Sequence, residues 1–196
     1  MKNRAVFLDR DGTINRDVGF PSSWDQIEIH PFSFTAVRRL NRAGFRVAVV
    51  TNQSGIARGL IEESALLDIH RRMEDAFLRK GARIDAFYYC PHHPEGRVER
   101  FRSECPCRKP RPGMAARAAR DLEIDPARSY MVGDKLEDLR FGVNCGAVPI
   151  LVLTGYGETT RDRLKDAGLY PAHVASDLGD AVNWILDREK KRGGSG

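Results

Sequence analysis

Asp9-Arg10-Asp11-Gly12-Thr13 follows directly on an apolar tetrapeptide, Ala5-Val6-Phe7-Leu8. Two carboxylates one residue apart, on a chain that has just left a buried strand, can both face one bound group. A phosphate ester suits such a pair. The attacking carboxylate and the ester are both anionic, so the reaction needs a divalent cation to neutralise charge. Mg²⁺ takes a few carboxylates, water and a phosphate oxygen. Asp9 can bind the cation with one oxygen and attack phosphorus with the other, giving an aspartyl-phosphate. Asp11, close enough to be counted with the Mg²⁺ set, can protonate the departing alkoxide and later take a proton from the attacking water. An acidic turn can equally well cap its own amides, so this motif gains weight only from what accompanies it.

Two more polar clusters stand where apolar runs end. Thr51-Asn52-Gln53-Ser54-Gly55 follows Val47-Ala48-Val49-Val50 and offers a hydroxyl and loop amides. Such donors suit a phosphoryl group whose equatorial oxygens gain charge in the transition state. Gly133-Asp134 follows Ser129-Tyr130-Met131-Val132, and Asp134 is the natural further Mg²⁺ ligand beside Asp9 and Asp11. Glu137 and Asp138, one turn on, are placed to orient it, although acids at a helix start are also ordinary partners of the helix dipole. Lys109 carries an ammonium that can hold both the phosphate and Asp9.

Three of the four cysteines crowd together as Cys90, Cys105 and Cys107, near His92 and His93. In a chain with no sign of export, such crowding favours a metal over a disulfide. Three thiolates and one imidazole make a closed tetrahedral zinc set, and a closed set is structural. Each pair of ligands can bite the metal across a tight turn stiffened by Pro91 or Pro106. Reduced buried thiols and a disulfide are the alternatives. A zinc here would pin a long loop whose end delivers Arg108 and Lys109. Cys145 stands apart in an apolar helical stretch and reads as an inert thiol.

The elements that must position these residues are legible as alternating short apolar runs and longer amphipathic ones. Strands are expected at Ala5–Leu8, Val47–Val50, Asp85–Tyr89, Ser129–Val132 and Val148–Leu153, with a shorter one near His173–Ala175. Helices are expected over Phe32–Ala43, Glu62–Lys80, Pro112–Leu122 and Leu136–Cys145, near Arg161–Ala167, and from about Asp177 onward. The helical spacing of Phe34, Val37 and Leu40, and of Ile69, Met73 and Phe77, puts each set on one face. Strand and helix in alternation predict an α/β, doubly wound parallel sheet. Such sheets bind ligands beyond the carboxyl ends of their strands, where Asp9, Asp11, Thr51, Asn52 and Asp134 all fall. His30 and His70 read as ordinary surface or helix-face residues, Trp24 as packing, and Trp184 as core.

Composition narrows the class. With 196 residues, 41% hydrophobic and 30% charged, the chain suits one compact domain over residues 1–190, with a disordered tail at 191–196. No apolar run approaches the roughly 20 residues that cross a bilayer. The short run after Met1-Lys2-Asn3-Arg4 falls below a signal-peptide core, so a cytoplasmic protein is expected, with no membrane partner. The net charge is +5, but the basic residues are scattered among acids except at Lys190-Lys191-Arg192. A zinc-stabilised nucleic-acid-binding module would need cations gathered on one face with aromatics for the bases, so no nucleic-acid partner is expected.

In order along the chain, Asp9–Thr13, Thr51, Lys109 and Gly133-Asp134 resemble the four motifs of the haloacid dehalogenase superfamily. Longer stretches bring the resemblance closer to its heptose-bisphosphate phosphatase family. These are Thr51-Asn52-Gln53-Ser54-Gly55-Ile56-Ala57-Arg58-Gly59, Tyr88-Tyr89-Cys90-Pro91-His92-His93-Pro94, Cys105-Pro106-Cys107-Arg108-Lys109-Pro110, and Met131 to Asp138. The similarity runs from Ala5 to about Leu153 and fades after Thr154.

The resemblance implies a Rossmann-like fold with a small zinc-binding loop at 90–107 and no large cap domain. It implies Asp9 as nucleophile, Asp11 as general acid/base, Thr51 and Lys109 as phosphoryl stabilisers, and Asp134 on Mg²⁺ with Lys135 beside it. It also implies Arg108 in substrate recognition, the loop Asp17-Val18-Gly19-Phe20 against substrate, and His92 rather than His93 on zinc. The expected reaction is hydrolysis of the C7 phosphate of D-glycero-D-manno-heptose 1,7-bisphosphate, within heptose and lipopolysaccharide biosynthesis, by a monomer. Histidinol-phosphate phosphatases share the acid motif and a zinc loop and are the alternative. Their loop is shorter than one carrying Glu95–Glu104.

Overall fold

The computed structural model describes residues 2–193. Six strands form one parallel sheet: β1 (Ala5–Leu8), β2 (Arg46–Asn52), β3 (Ala86–Cys90), β4 (Tyr130–Gly133), β5 (Val148–Val152) and β6 (His173–Ala175), in the order β3-β2-β1-β4-β5-β6. Parallel neighbours cannot be joined by hairpins, so each connection crosses a face of the sheet. The helices are α1 (Pro31–Arg42), α2 (Ser54–Ala57), α3 (Glu63–Arg79), α4 (Gly113–Asp121), α5 (Leu136–Cys145), α6 (Gly157–Asp162) and α7 (Leu178–Gly193).

Strand β1 is buried on both faces, which explains its unbroken apolar run. Val6 and Leu8 pack into the core formed with α1, α3 and α7, while Ala5 and Phe7 face the core formed with α4 and α5. Phe7 meets Phe141 edge-on at 6.1 Å; burying such a ring stabilises the fold by roughly 2–3 kcal/mol.

The strand order reverses at β1, with β2 and β3 on one side and β4, β5 and β6 on the other. Loops leaving β1 and β4 therefore part in opposite directions and open a crevice at the carboxyl edge. Register makes that crevice polar. Leu8 pairs with Val49 and with Val132, and the Asp9 amide donates to the Val132 carbonyl at 3.0 Å. Asp9, Thr51 and Asp134 thus emerge at nearly one level. Among the described residues, the segments between these motifs are the helices and strands of the fold with their connecting loops, and none is a domain-sized cap.

Three of the expected elements differ from expectation by more than one residue. Strand β2 runs on through Thr51 and Asn52, because both pair with β3, at Tyr89 and Cys90. Helix α6 starts at Gly157 rather than near Arg161: Gly157 lies against the Val152 carbonyl, a position without room for a Cβ, and the chain turns into the helix directly. Lys191 and Arg192 belong to α7 instead of a tail. Cations in a last turn complement the helix dipole, and Lys190 and Arg192 pair with Asp187 at 3.3 Å and Glu189 at 3.5 Å. The remainder of the expected tail, residues 194–196, lies outside the described residues. Trp24 packs against the core as expected, whereas Trp184 is only half-buried, stacked on His173 at 5.2 Å.

Candidate active site

Asp9, Asp134 and Asp138 meet in the crevice with carboxylate oxygens within 4.8 Å of one another, all buried. Lys109 reaches in from the opposite wall. Its ammonium pairs with Asp9 Oδ1 at 2.9 Å and Asp138 Oδ1 at 2.6 Å and donates to the Val50 carbonyl at 2.9 Å. Burial works against its charge, but Asp138 and Asp9 outweigh that and raise its pKa above the usual lysine value. One ammonium does not neutralise three acids. Burial, then Asp9 and Asp138, push Asp134 up to about 8, and burial with Asp9 pushes Asp138 up to about 6.

The bonds around these oxygens show which could take a cation. Asp138 is committed, to Lys109 through Oδ1 and to the Lys135 amide through Oδ2 at 3.0 Å. Asp9 Oδ1 accepts from Lys109 and from the Arg10 amide at 2.8 Å, which leaves Oδ2 for other work. Asp134 Oδ2 accepts from the Tyr156 amide at 2.8 Å, while its Oδ1 is buried with no partner. An orphaned carboxylate oxygen beside a second carboxylate fits a hard cation such as Mg²⁺. The backbone is cut to suit: Gly12 (φ +89) and Gly155 (φ +59) lie so close to Asp134 that a Cβ on either would strike its carboxylate.

The Asp11 carboxylate lies outside this cluster of three. It turns toward Arg10, whose Nε and Nη2 donate to it at 3.0 and 2.8 Å. Asn15 and Gln53 add one bond each, both at 3.0 Å. Burial raises the proton affinity of Asp11, yet the Arg10 charge and these bonds prevail and hold its pKa below the ordinary value. Asp138, read from the sequence only as a supporting acid, stands within the cluster itself.

Of the two readings of His70, surface or helix face, the structure takes the second, on the buried side of α3. The residue is 5% exposed, stacked on Phe87 at 4.6 Å, with Nε2 3.3 Å from Arg10 Nη1. The signal was available, since Leu66, His70, Met73 and Phe77 share one helical face. Arg10 gave no such signal: an arginine between two aspartates at a strand end reads as exposed, but its side chain is wholly buried.

Burial, then the Arg10 charge, depress the His70 pKa from 6.5 to about 3. A histidine buried neutral favours the fold fully above its unfolded value and loses that contribution as pH falls from 6.5 toward 3. Between pH 7 and 5 the loss is about 2 kcal/mol. Urea unfolding at the two pH values is expected to show His70→Gln losing about 2 kcal/mol less than the wild type. Equal losses would remove His70 from the acid response.

The other expected residues are gathered here, several as supports. Thr51 is buried at the end of β2, and Gln53 Nε2 bridges Thr51 Oγ1 at 2.9 Å and Asp11. Asn52, expected against substrate, grips the Lys109 main chain: it accepts from the amide at 3.0 Å and donates to the carbonyl at 3.2 Å. Ser54 opens the short α2. Asp17 pairs with Lys135 at 3.1 Å, and Phe20 packs over Gly55, so the loop Asp17–Phe20 spans the mouth of the crevice with Val18 and Phe20 about half exposed. A cavity of about 360 Å³ adjoins Lys109, lined among others by His93, Arg108 and Arg111.

At the end of β3 lies the cysteine cluster. Cys90, Cys105, Cys107 and His92 present their donor atoms within 4.8 Å of one another. The sulfur separations, 3.2 Å for Cys90–Cys105 and 2.8 Å for Cys105–Cys107, exceed a disulfide bond of about 2.05 Å. His92 Nδ1 lies 3.6 Å from Cys107 Sγ and 3.9 Å from Cys90 Sγ. His93 turns away, with Nε2 3.2 Å from Arg58. A hydrogen bond from Cys90 is the main cause that brings the Cys107 thiol down to about 5. The chemistry of the donor set fits a closed zinc site, two residues before Lys109.

Comparison with known proteins accords with this geometry. A family model described as HAD-hydrolase-like matches residues 106–181. The chain is 43% identical over 178 residues to the D-glycero-beta-D-manno-heptose-1,7-bisphosphate 7-phosphatase of Escherichia coli K12, covering 91% of this chain and 93% of that protein. It is 41% identical over 171 residues to the protein of the same name in Haemophilus influenzae, covering 84% and 92%. The crystal structure of the D,D-heptose 1,7-bisphosphate phosphatase from B. bronchiseptica, complexed with magnesium and phosphate, superposes with a TM-score of 0.83 at 38% identity, covering 94% of this chain and 99% of that one.

Proposed function

The chain belongs to the haloacid dehalogenase superfamily of phosphatases, and from that premise we propose that it hydrolyses the C7 phosphate of D-glycero-D-manno-heptose 1,7-bisphosphate through an aspartyl-phosphate at Asp9. The observation that carries the reading is the pairing of a free Asp9 oxygen with the orphaned oxygen of Asp134, at the sheet's switch point. Asp9 and Asp134 would hold Mg²⁺, which supplies charge neutralisation between the two anionic reactants when bound.

Asp9 attacks phosphorus, and the bond from phosphorus to the C7 oxygen breaks. Asp11 gives that oxygen its proton. Arg10 keeps Asp11 ionised in the free protein, but a dianionic ester arriving beside it raises its proton affinity. In the second step Asp11, now a carboxylate, takes a proton from water as the water oxygen attacks phosphorus and frees Asp9. In this reading Lys109 and Thr51 stabilise the equatorial oxygens of the transferred group.

The test is phosphate release from both anomers of the heptose bisphosphate, fructose bisphosphate and histidinol phosphate. A heptose bisphosphate is expected to give the highest kcat/KM, leaving a product that retains its anomeric phosphate. Preference for histidinol phosphate would replace this reading with the other. Arg108, on the wall of the cavity beside Lys109, would meet the anomeric phosphate with its planar fork of donors. Arg108→Ala is therefore expected to lower kcat/KM on the bisphosphate about 10- to 100-fold, the scale of a hydrogen bond to a charged group. A sugar monophosphate should lose far less, and equal losses would mean that Arg108 does not read the second phosphate.

Cys90, His92, Cys105 and Cys107 would bind one zinc per chain and anchor the segment that delivers Arg108 and Lys109. Cys107→Ser is expected to lower zinc content and to cost at least about 10-fold in kcat/KM through that segment. Elemental analysis of protein purified without chelator checks the first expectation. Finding no zinc in the wild type would refute the site.

A further inference from the structure

The Arg10 side chain is wholly buried, and its partners form a chain of contacts from Asp11 to His70. The guanidinium holds both oxygens of Asp11 with Nε and Nη2, and turns Nη1 toward His70 Nε2 at 3.3 Å. A guanidinium offers only donors. His70 Nε2 must therefore accept, and the imidazole is neutral with its proton on Nδ1. The ring itself is fixed, stacked on Phe87 within 19° of parallel and meeting Tyr89 edge-on at 5.9 Å. Both aromatic residues stand on β3, and His70 stands on α3.

We propose that His70 is a positioning residue for proton transfer, setting the orientation of the Asp11 carboxylate through Arg10. Asn15 and Gln53 each hold Asp11 by a single bond; Arg10 alone holds it by a fork. A fork fixes orientation only if its own far side is fixed, and His70 is what meets that side. With the acceptor removed, Nη1 becomes a buried donor without a partner and the guanidinium turns to find one. Asp11 turns with it. This inference rests on Asp11 acting as the acid in the proposed phosphatase reaction.

Leaving-group chemistry isolates the effect. A primary alkoxide cannot depart without a proton, whereas p-nitrophenolate is stable at neutral pH and needs none. Because kcat/KM extends only to the first irreversible step, the later attack by water does not enter for either ester. The experiment measures kcat/KM, with Mg²⁺, on the sugar bisphosphate and on p-nitrophenyl phosphate. The proteins are the wild type, Asp11→Asn, His70→Leu, His70→Ala and His70→Gln. Leu keeps much of the volume and Ala gives it up; both lack an acceptor, so whichever folds gives the comparison. Gln restores an acceptor oxygen.

Asp11→Asn is expected to lose the sugar ester selectively by about 100-fold or more, the scale of general acid catalysis. The acceptor-free variants are expected to lower the sugar-to-aryl ratio about 10-fold, part of that same contribution, and His70→Gln to return it to within about 3-fold of wild type. Equal loss on both esters, or no loss on either, would reduce His70 to a core residue and overturn the proposal. If Asp11→Asn itself fails to discriminate, the acid role of Asp11 is wrong and the proposal falls with it. If Asp11→Asn discriminates and the His70 variants do not, only the positioning role falls.

Discussion

Asp9→Asn protein is expected to fold normally and to turn over at least about 10⁴-fold more slowly than the wild type, the scale on which removing an attacking residue is felt. The amide cannot attack phosphorus and binds a hard cation poorly. The nearby acids are otherwise engaged: Asp138 with Lys109 and the Lys135 amide, Asp11 with Arg10, and Asp134 as the proposed Mg²⁺ ligand. Stability should move the other way. The Asp9 charge is, after burial, the main cause pushing Asp134 up to about 8. Metal-free Asp9→Asn protein should therefore be at least as stable as metal-free wild type, and should gain less from added Mg²⁺. Thermal melts with and without Mg²⁺, beside single-turnover rates, check both halves. Near-wild-type turnover would remove the covalent mechanism.

Lys109→Met is expected to damage both function and fold. The ammonium is buried between Asp9 and Asp138, and removing one partner of a buried pair costs about 3–5 kcal/mol because the other is left uncompensated. The kcat should fall by about 10²- to 10³-fold, as when one transition-state donor is lost. The pH dependence has a definite sign. A carboxyl whose folded pKa is raised binds more protons folded than unfolded, so stability falls as pH rises from its unfolded value, 3.8, through the folded one. Lys109 holds Asp138 at about 6 against burial and Asp9; without it the value rises further, and Asp138 takes up a proton near neutrality. Urea unfolding should show a smaller deficit at pH 5 than at pH 7, and partial recovery with Mg²⁺. A deficit indifferent to both pH and Mg²⁺ would trace the loss to packing alone.

Both substitutions fall on residues that the chain announces. Ala5–Leu8 is apolar without interruption because β1 is covered on both faces, and so the first polar residue after it, Asp9, had to stand at a strand end. The same holds for Asp134 after β4. Thr51 was seen as chemistry but placed just beyond its strand; pairing of Thr51 and Asn52 with β3 decides that point, and no pattern within β2 contains it. The cysteine cluster was visible because ligand types and short spacings are themselves the signal. Family likeness alone favours His92 over His93; in the fold His92 stands with the three cysteines, and His93 turns toward Arg58.

By itself, then, the sequence determined which residues leave the sheet together, since unbroken apolar runs set both the burial of parallel strands and the level at which each ends. What those residues hold follows from how the elements dock in three dimensions. Asp11 faces Arg10 rather than the acid cluster, Asn52 grips Lys109, and His70 closes behind Arg10. Asn52 and Lys109 are separated by 57 positions, and Arg10 and His70 by 60. A hydrogen bond over such a distance depends on how α3 and the cysteine loop dock against the sheet. Periodicity records that a residue is buried. It carries no information about which donor will be waiting there.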